Sequence, residues 1–553
     1  GFALSEASQT PVMFMLRIRA CHVVGRFDCQ DNRRPAFSVS DALEHPVRAS
    51  DRIVLPPSTY AQEKDKVERR WPAAVNFIES RGLNEIFAGD AADVGIVMQG
   101  GLYNTVLRSL ERLGLADIFG ASRLPLYVLN VTYPLAPNEL QKFAADKKAL
   151  LVIEEGQPEF IEQAISSMLA QAGSTVRVVG KRFLTMAGEY TGPVVRTGIE
   201  RFLREFAPQL IEAPTAREQH HAAGAVAPRE FPLQPAAALR QAVPARPPGL
   251  CTGCPERPLF ASIKLLQRQI GPVHVSADIG CHSFGTLPPF NVGASIVGYG
   301  LGAAGATAFG ARGKRRAISL MGDGGFWHNG LTSGVADAVF NRNDGVTIIV
   351  DNGYSAATGG QIVPSSRGEA PNRRSQNSIE KAVRGVGVEW VRRVSTYDMK
   401  GTLAALLSAM TTQDSGPKII IAEGECQLNK QRRTAGAIAR RRAEGRRVVQ
   451  QKFGVDEDVC TGDRSCIRLS GCPSLTVKES TDPLRDDLVA HVDNTCVGCG
   501  VCGEVAHAAT LCPSFYRADV ISNPTRFERF MSGLRRIVIG LLDSGAEPRA
   551  RTS

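Results

Sequence analysis

RAISLMGDGG, residues 316–325, and GVTIIVDNG, residues 345–353, each run apolar and then turn at glycine beside a polar side chain. HVSADIG (274–280) and KIIIAEG (418–424) repeat the pattern, with helical sequence between them. Continuously apolar strands alternating with helices predict an α/β fold: a doubly wound parallel sheet covered on both faces. In such sheets ligands bind at the carboxyl ends of strands. Asp323 and Asn352 stand at two such ends, 29 residues apart. Together they can place two oxygens on one Mg²⁺, and the same ion can hold a diphosphate whose oxygens complete an octahedron. A Gly-Asp-Gly alone is more commonly a plain turn; the pair after two buried strands is the stronger signal.

The same alternation appears earlier. GIVMQGG (95–101), LYVLNV (126–131) and ALLVIEEG (149–156) read as buried strands, and NTVLRSLERLGL (104–115) as an amphipathic helix. With 553 residues, the chain predicts several domains. Residues 1–70 read as the tail of a domain and its connector, with PVMFMLRI (11–18) as its last strand. An α/β domain is expected over 75–200, an Ala- and Pro-rich linker over 201–249, and the Mg²⁺-binding domain over 250–428. A basic connector over 429–454, a cysteine-rich module over 455–520 and a helical tail over 521–553 follow.

A hydrophobic content of 43% and a charged content of 22% describe a globular chain. The most apolar stretch, 292–310, is interrupted by glycines and reads as packed core, so no membrane association is expected. No signal region is recognisable, which predicts a cytoplasmic protein, and the first residue, Gly1, suggests a truncated N-terminus. The net charge of +10 is mild and owes much to KQRRTAGAIARRRAEGRR (430–447), read as a solvated linker helix or a surface for an acidic electron carrier. With only 6% aromatic residues and none among these charges, nucleic-acid binding is not expected.

Of thirteen cysteines, eleven follow Leu250, which points to metal or redox sites in a chain this long. Cys21 and Cys29 lie apart and read as buried or idle thiols. CVGCGVCGEVAHAATLCP (496–513) is preceded by a partial copy, CTGDRSCIRLSGCP (460–473). Two-cluster ferredoxins carry two Cys-x2-Cys-x2-Cys…Cys-Pro runs in which the fourth Cys of each completes the other's cluster. On that pattern Cys496, Cys499, Cys502 and Cys472 form one [4Fe–4S] set, and Cys460, Asp463, Cys466 and Cys512 the other. A carboxylate at 463 is a harder, weaker ligand for iron, which leaves [4Fe–4S] and [3Fe–4S] both open there. Zinc also favours Cys-x2-Cys pairs, but two crossed runs do not fit one tetrahedral site.

The Asp323/Asn352 pair resembles the signature of thiamine diphosphate enzymes. DNGYSAATGGQ (351–361), CTGCPERP (251–258) and DIGC (278–281) are similar to segments of the 2-oxoacid:ferredoxin oxidoreductases, in which a ferredoxin-like α+β module can follow. The layout resembles the large (alpha) subunit family of indolepyruvate ferredoxin oxidoreductase, N-terminally truncated. The resemblance implies thiamine diphosphate, with Gly322 and Gly324 admitting the diphosphate, and Mg²⁺ held by Asp323, Asn352 and the Tyr354 carbonyl. It also implies a third, proximal [4Fe–4S] cluster on Cys251, Cys254, Cys281 and Cys426, with a set of buried core thiols as the alternative. His282 is expected to be a satisfied structural histidine rather than a substrate contact.

The implied reaction is oxidative decarboxylation of arylpyruvates, chiefly indolepyruvate, with CoA taking up the acyl group and electrons leaving to ferredoxin. The implied partner is a smaller (beta) subunit. The catalytic residue remains unknown, because the Glu that activates the aminopyrimidine ring belongs to a domain expected before this chain. Two other readings remain: a non-oxidative thiamine diphosphate-dependent decarboxylase, and a non-catalytic iron–sulfur electron-transfer subunit.

Overall fold

Within Val94–Gln99 successive side chains take opposite sides. Val94, Ile96 and Met98 pack with Val106, Leu110, Ile199 and Phe202, while Val97 joins Tyr127, Leu140, Leu150 and Ile165. Both faces of the strand are therefore buried, which explains why its sequence does not alternate. The computed structural model describes residues 1–16, 21, 24–29, 31, 38–46, 53–212, 249–310, 315–366 and 376–542. It divides into two compact units, Gly1–Ala236 and Ala237–Ser553.

The first unit carries strands β1 (Glu85–Phe87), β2 (Val94–Gln99), β3 (Leu126–Leu129), β4 (Ala149–Ile153) and β5 (Arg177–Val179) in the order β1-β3-β2-β4-β5. All pair in parallel except β1, which runs antiparallel to β3. Helices Tyr103–Arg112 and Gly192–Phe206 cover one face, and Pro137–Ala144 and Phe160–Gln171 the other.

Three expectations are corrected in this unit. Residues 11–16 form no strand, and Met13 to Leu16 are exposed, because no neighbouring strand offers them a ladder among the described residues. Residues 17 and 18 of that run lie outside the described residues. The linker does not begin at 201: helix Gly192–Phe206, started by a proline in its first turn, carries Phe202 and Leu203 fully into the core. Residues 213–248 of the expected linker lie outside the described residues. The buried reading of Cys21 and Cys29 falls, since both are exposed free thiols, and the idle reading stands.

The second unit is built on β6 (Val275–Ala277), β7 (Ser295–Ile296), β8 (Ile318–Gly322), β9 (Val346–Asp351), β10 (Trp390–Ser395) and β11 (Lys418–Glu423). Their order is β10-β11-β9-β8-β6-β7, and every pair is parallel. One face packs on helix Glu256–Ile270 through Leu259, Phe260, Ile263 and Leu266, and the other on Phe326, Val335, Ile379 and Val383. From β6 the chain first moves outward to β7 and then returns to the other side as β8, so the strand order reverses at β6 and opens a crevice at its carboxyl end.

The basic run forms helix Gln427–Ala443, which buries no residue. After it, β12 (Val448–Val455) pairs antiparallel with β15 (Phe515–Ser522), and β13 (Leu475–Lys478) with β14 (Val489–Val492). The cysteine-rich part thus starts at Val448, ahead of the expected 455, because its first strand needs β15 as partner. Helices Ser465–Ser470 and Val501–Thr510 lie within it and pack against Ala261, Leu265 and Met399 of the preceding sheet's helices. The tail forms helix Arg526–Leu542. Among the described residues no helix is long and apolar enough to cross a membrane.

Replacing Phe202 by Ala leaves an aromatic-sized hole in the first unit's core. We expect a loss of roughly 3–5 kcal/mol in the unfolding transition of that unit, followed by urea denaturation. A loss within about 0.5 kcal/mol, the range of ordinary surface positions, would return residues 201–206 to the linker.

Candidate cofactor and cluster sites

Strand β8 ends at Gly322, and the next residue, Asp323, opens a helical stretch that continues to Phe340 through a π-helical middle, Phe326–Ala336. Asp323 is 1% exposed, and its two carboxylate oxygens accept from Gly324 N (2.8 Å) and Gly353 N (2.7 Å). The second bond ties it to the loop after β9. There Asn352, also buried, turns its Oδ1 to the Tyr354 N–H at 3.1 Å. The structure therefore brings Asp323 and the Asn352–Tyr354 loop together at neighbouring strand ends. Burial, and then the nearby Asp351, push Asp323 up to about 8. A carboxyl so placed ionises readily only with a cation beside it, and the all-oxygen donor set suits Mg²⁺. The helical stretch begins at Asp323, which places its N-terminal end, the end that favours a diphosphate, at the same strand end. At Gly324 a side chain would meet Tyr299 and Ser355, which are themselves joined by a 2.8 Å hydrogen bond.

His282 behaves as expected. It is buried, and its Nε2 bonds Asp278, whose other oxygen accepts from Gly300 N at 2.7 Å. Burial disfavours the imidazolium, but the bond to Asp278 and the charge of Glu256 hold the pKa above the usual histidine value.

Each of the three cysteine sets lines one cavity. Cys251, Cys254, Cys281 and Cys426 line the first, together with Asn352 and Glu256. Cys472, Cys496, Cys499 and Cys502 line the second, and Cys460, Asp463, Cys466 and Cys512 the third. Among the described residues no three His, Cys, Asp or Glu side chains converge tightly enough to hold a single metal ion. The donors of each set are spread around a void. Burial pushes Cys281 up to about 12 and Cys466 to about 11. Thiols held this high would be deprotonated only beside a metal centre, whose positive charge favours the thiolate as the proton is released. The donor sets fit iron–sulfur clusters.

The two cysteine runs repeat in backbone as well as in sequence. Gly462 (φ 71°) answers Gly498 (φ 73°), Arg464 (φ 59°) answers Gly500 (φ 80°), and Gly471 (φ 55°) answers Leu511 (φ 52°). This register sets Asp463 where the second run has Cys499. Asp463 Oδ2 accepts from Ser465 Oγ at 2.7 Å, so its carboxylate is partly engaged.

Two residues of CTGCPERP join the sites without a sequence signature of their own. Glu256 is 2% exposed and its Oε2 has no hydrogen-bond partner among the described residues; Arg257 is 3% exposed and lines the second cavity. A charged pair directly after a cysteine pair is the one signal the sequence offers for them. Arg257 is buried against Ser470 and Gly471, two hundred positions away, and Glu256 against the first cavity near Asp278 and His282, which no local pattern reports.

Against known proteins, residues 278–422 match the model for "Thiamine pyrophosphate enzyme, C-terminal TPP binding domain", the stretch from Asp278 to the end of β11. Residues 84–193 match the indolepyruvate oxidoreductase domain. Indolepyruvate oxidoreductase subunit IorA from Methanothermobacter thermautotrophicus is 27% identical over 526 residues, 93% of this chain and 74% of the relative. The chain resembles the A subunit of indolepyruvate oxidoreductase over most of its length. IorA from Thermococcus kodakarensis is 29% identical over 440 residues, covering 76% of this chain and 61% of that one. Overlap with the 2-oxoglutarate:ferredoxin oxidoreductase from Magnetococcus marinus is slight, with a TM-score of 0.30 and 18% identity over 33% of this chain and 66% of that one. The resemblance to IorA spans both sheets and the cysteine runs.

Asp323→Ala should abolish retention of thiamine diphosphate through gel filtration with Mg²⁺, while circular dichroism stays that of the parent. Retention at the parental level would remove Asp323 from the metal site.

Proposed function

We propose that the chain is the catalytic subunit of a 2-oxoacid:ferredoxin oxidoreductase that acts on arylpyruvates, chiefly indolepyruvate. The observation that carries this reading is a chain of shared walls. Asn352 borders both the Asp323 crevice and the first cysteine cavity, and Cys254 lines the first and second cavities. Cys502 of the second set then packs in one apolar cluster with Cys460 and Cys466 of the third. A continuous path from cofactor to surface is what an enzyme that exports electrons needs; a non-oxidative decarboxylase has no use for it.

In this reading Asp323, Asn352 and the Tyr354 carbonyl hold Mg²⁺, and Gly322 and Gly324 let the backbone approach the diphosphate. Thiamine diphosphate, when bound, supplies the electron sink for decarboxylation of a 2-oxoacid. The protein's own part is positional. Asp278 fixes the crevice by accepting from Gly300 N, and His282 keeps Asp278 in place. The buried wall formed by Leu259, Phe260 and Phe290, with the partly buried Phe284 against it, keeps water from the sheet beneath. The arylpyruvate preference, CoA as acyl acceptor, ferredoxin as electron acceptor and a smaller partner subunit rest on the likeness to IorA.

The test is anaerobic. The full-length protein with its smaller subunit, Mg²⁺ and thiamine diphosphate should reduce viologen only when indolepyruvate and CoA are both present. Release of CO₂ from indolepyruvate without viologen reduction would favour the non-oxidative decarboxylase. Neither signal, with any 2-oxoacid, would leave an electron-transfer subunit.

A further inference from the structure

Helix Glu256–Ile270 begins inside the protein, and its second residue is a buried arginine. Arg257 Nε donates to the Cys251 carbonyl at 2.8 Å. Its Nη1 donates to the carbonyls of Ser470 (3.3 Å) and Gly471, the two residues before Cys472. One guanidinium therefore joins the backbone beside a ligand of the first set to the backbone beside a ligand of the second. Gly471 has φ 55°, and a side chain there would press on Pro289 and on Arg257 Nη1. The close approach needs glycine.

A buried cation requires a counter-charge. Among the described residues Arg257 has no carboxylate ion pair, and its hydrogen-bond partners are all neutral carbonyls. The ionisable groups that act on it most strongly are Cys254, Cys472, Cys251 and Cys499, two from each set. Burial lowers its pKa from the usual value, but a guanidinium stays protonated at any working pH. The third set, Cys460, Asp463, Cys466 and Cys512, does not figure among these neighbours and lines a cavity that Arg257 does not reach.

We propose that Arg257 is a positioning and potential-setting residue shared by the first two cysteine sets: its fixed charge favours the reduced, more negative state of the groups on either side. Reduction adds negative charge, and a cation held in a low-dielectric site stabilises that charge more than water would. Placed between two sites in series, it raises both together and so keeps the step between them nearly level. The proposal rests on the cluster reading above.

The test is an EPR-monitored redox titration of the full-length holoprotein carrying Arg257→Gln or Arg257→Lys. Gln keeps donors for the carbonyls and removes the charge; Lys keeps the charge. In Arg257→Gln the two flanking signals should fall by at least tenfold in reduction equilibrium, about 59 mV for a one-electron couple. The third signal should stay in place, and Arg257→Lys should recover most of the shift. Unmoved flanking signals in Arg257→Gln, or an equal shift of all three, would overturn the proposal. If Arg257→Gln binds no iron but Arg257→Lys does, the charge is required to hold the anionic sets, as proposed. Loss of iron from both variants would overturn the electrostatic role and leave the fork geometry alone. An unsubstituted holoprotein with no cluster signal would defeat the cluster reading itself, a result distinct from all of these.

Discussion

Tyr397 Oη donates to the carbonyl of Gly253 at 2.7 Å, and Val497 occupies the space that a side chain at Gly253 would need. With φ at 70°, Gly253 allows the turn Cys251–Cys254 to sit between the strand ends of the parallel sheet and the loop of the cysteine runs. The rest of the second unit depends on that turn. Helix Glu256–Ile270 starts from it, covers one face of the sheet with Leu259, Phe260, Ile263 and Leu266, and presents Ala261 and Leu265 to Leu469, Val501 and Val505. One helix thus builds the sheet's core and docks the cysteine module. The cavities on either side of Cys254 are fixed relative to each other by packing.

Much of this is legible in the sequence because both sheets are buried on two faces. Strands β2, β3, β4, β8, β9 and β11 are largely apolar runs that stop at Gly or at an acidic or amide side chain, and burial on both sides leaves no polar alternation to confuse the reading. Strand β10 escapes that pattern because it lies at the sheet edge and carries Arg392 and Arg393, which face solvent. PVMFMLRI misleads in the opposite sense. Apolar sequence specifies a strand only where another strand supplies its ladder.

The sites are legible to different depths. Cysteine spacing groups the donors of the second and third sets, whereas the first set follows only from the family resemblance, and each set lines a common cavity. Position at the end of an apolar strand suffices for Asp323 and Asn352, because strand ends are where side chains converge. Glu256 and Arg257 are opaque because their significance is desolvation. A charge on a helix is ordinary in sequence and becomes exceptional only once Ser470, Gly471 and the sheet close around it.

The central claim is that the three cysteine sets hold electron-carrying clusters close enough to act as one path. Anaerobic iron and acid-labile sulfide analysis, with EPR of the dithionite-reduced protein, tests it most directly. The account predicts iron and sulfide filling all three sets, and a broadened spectrum from spin coupling between neighbours. A protein holding zinc without sulfide, or clusters whose signals show no mutual interaction, would contradict it.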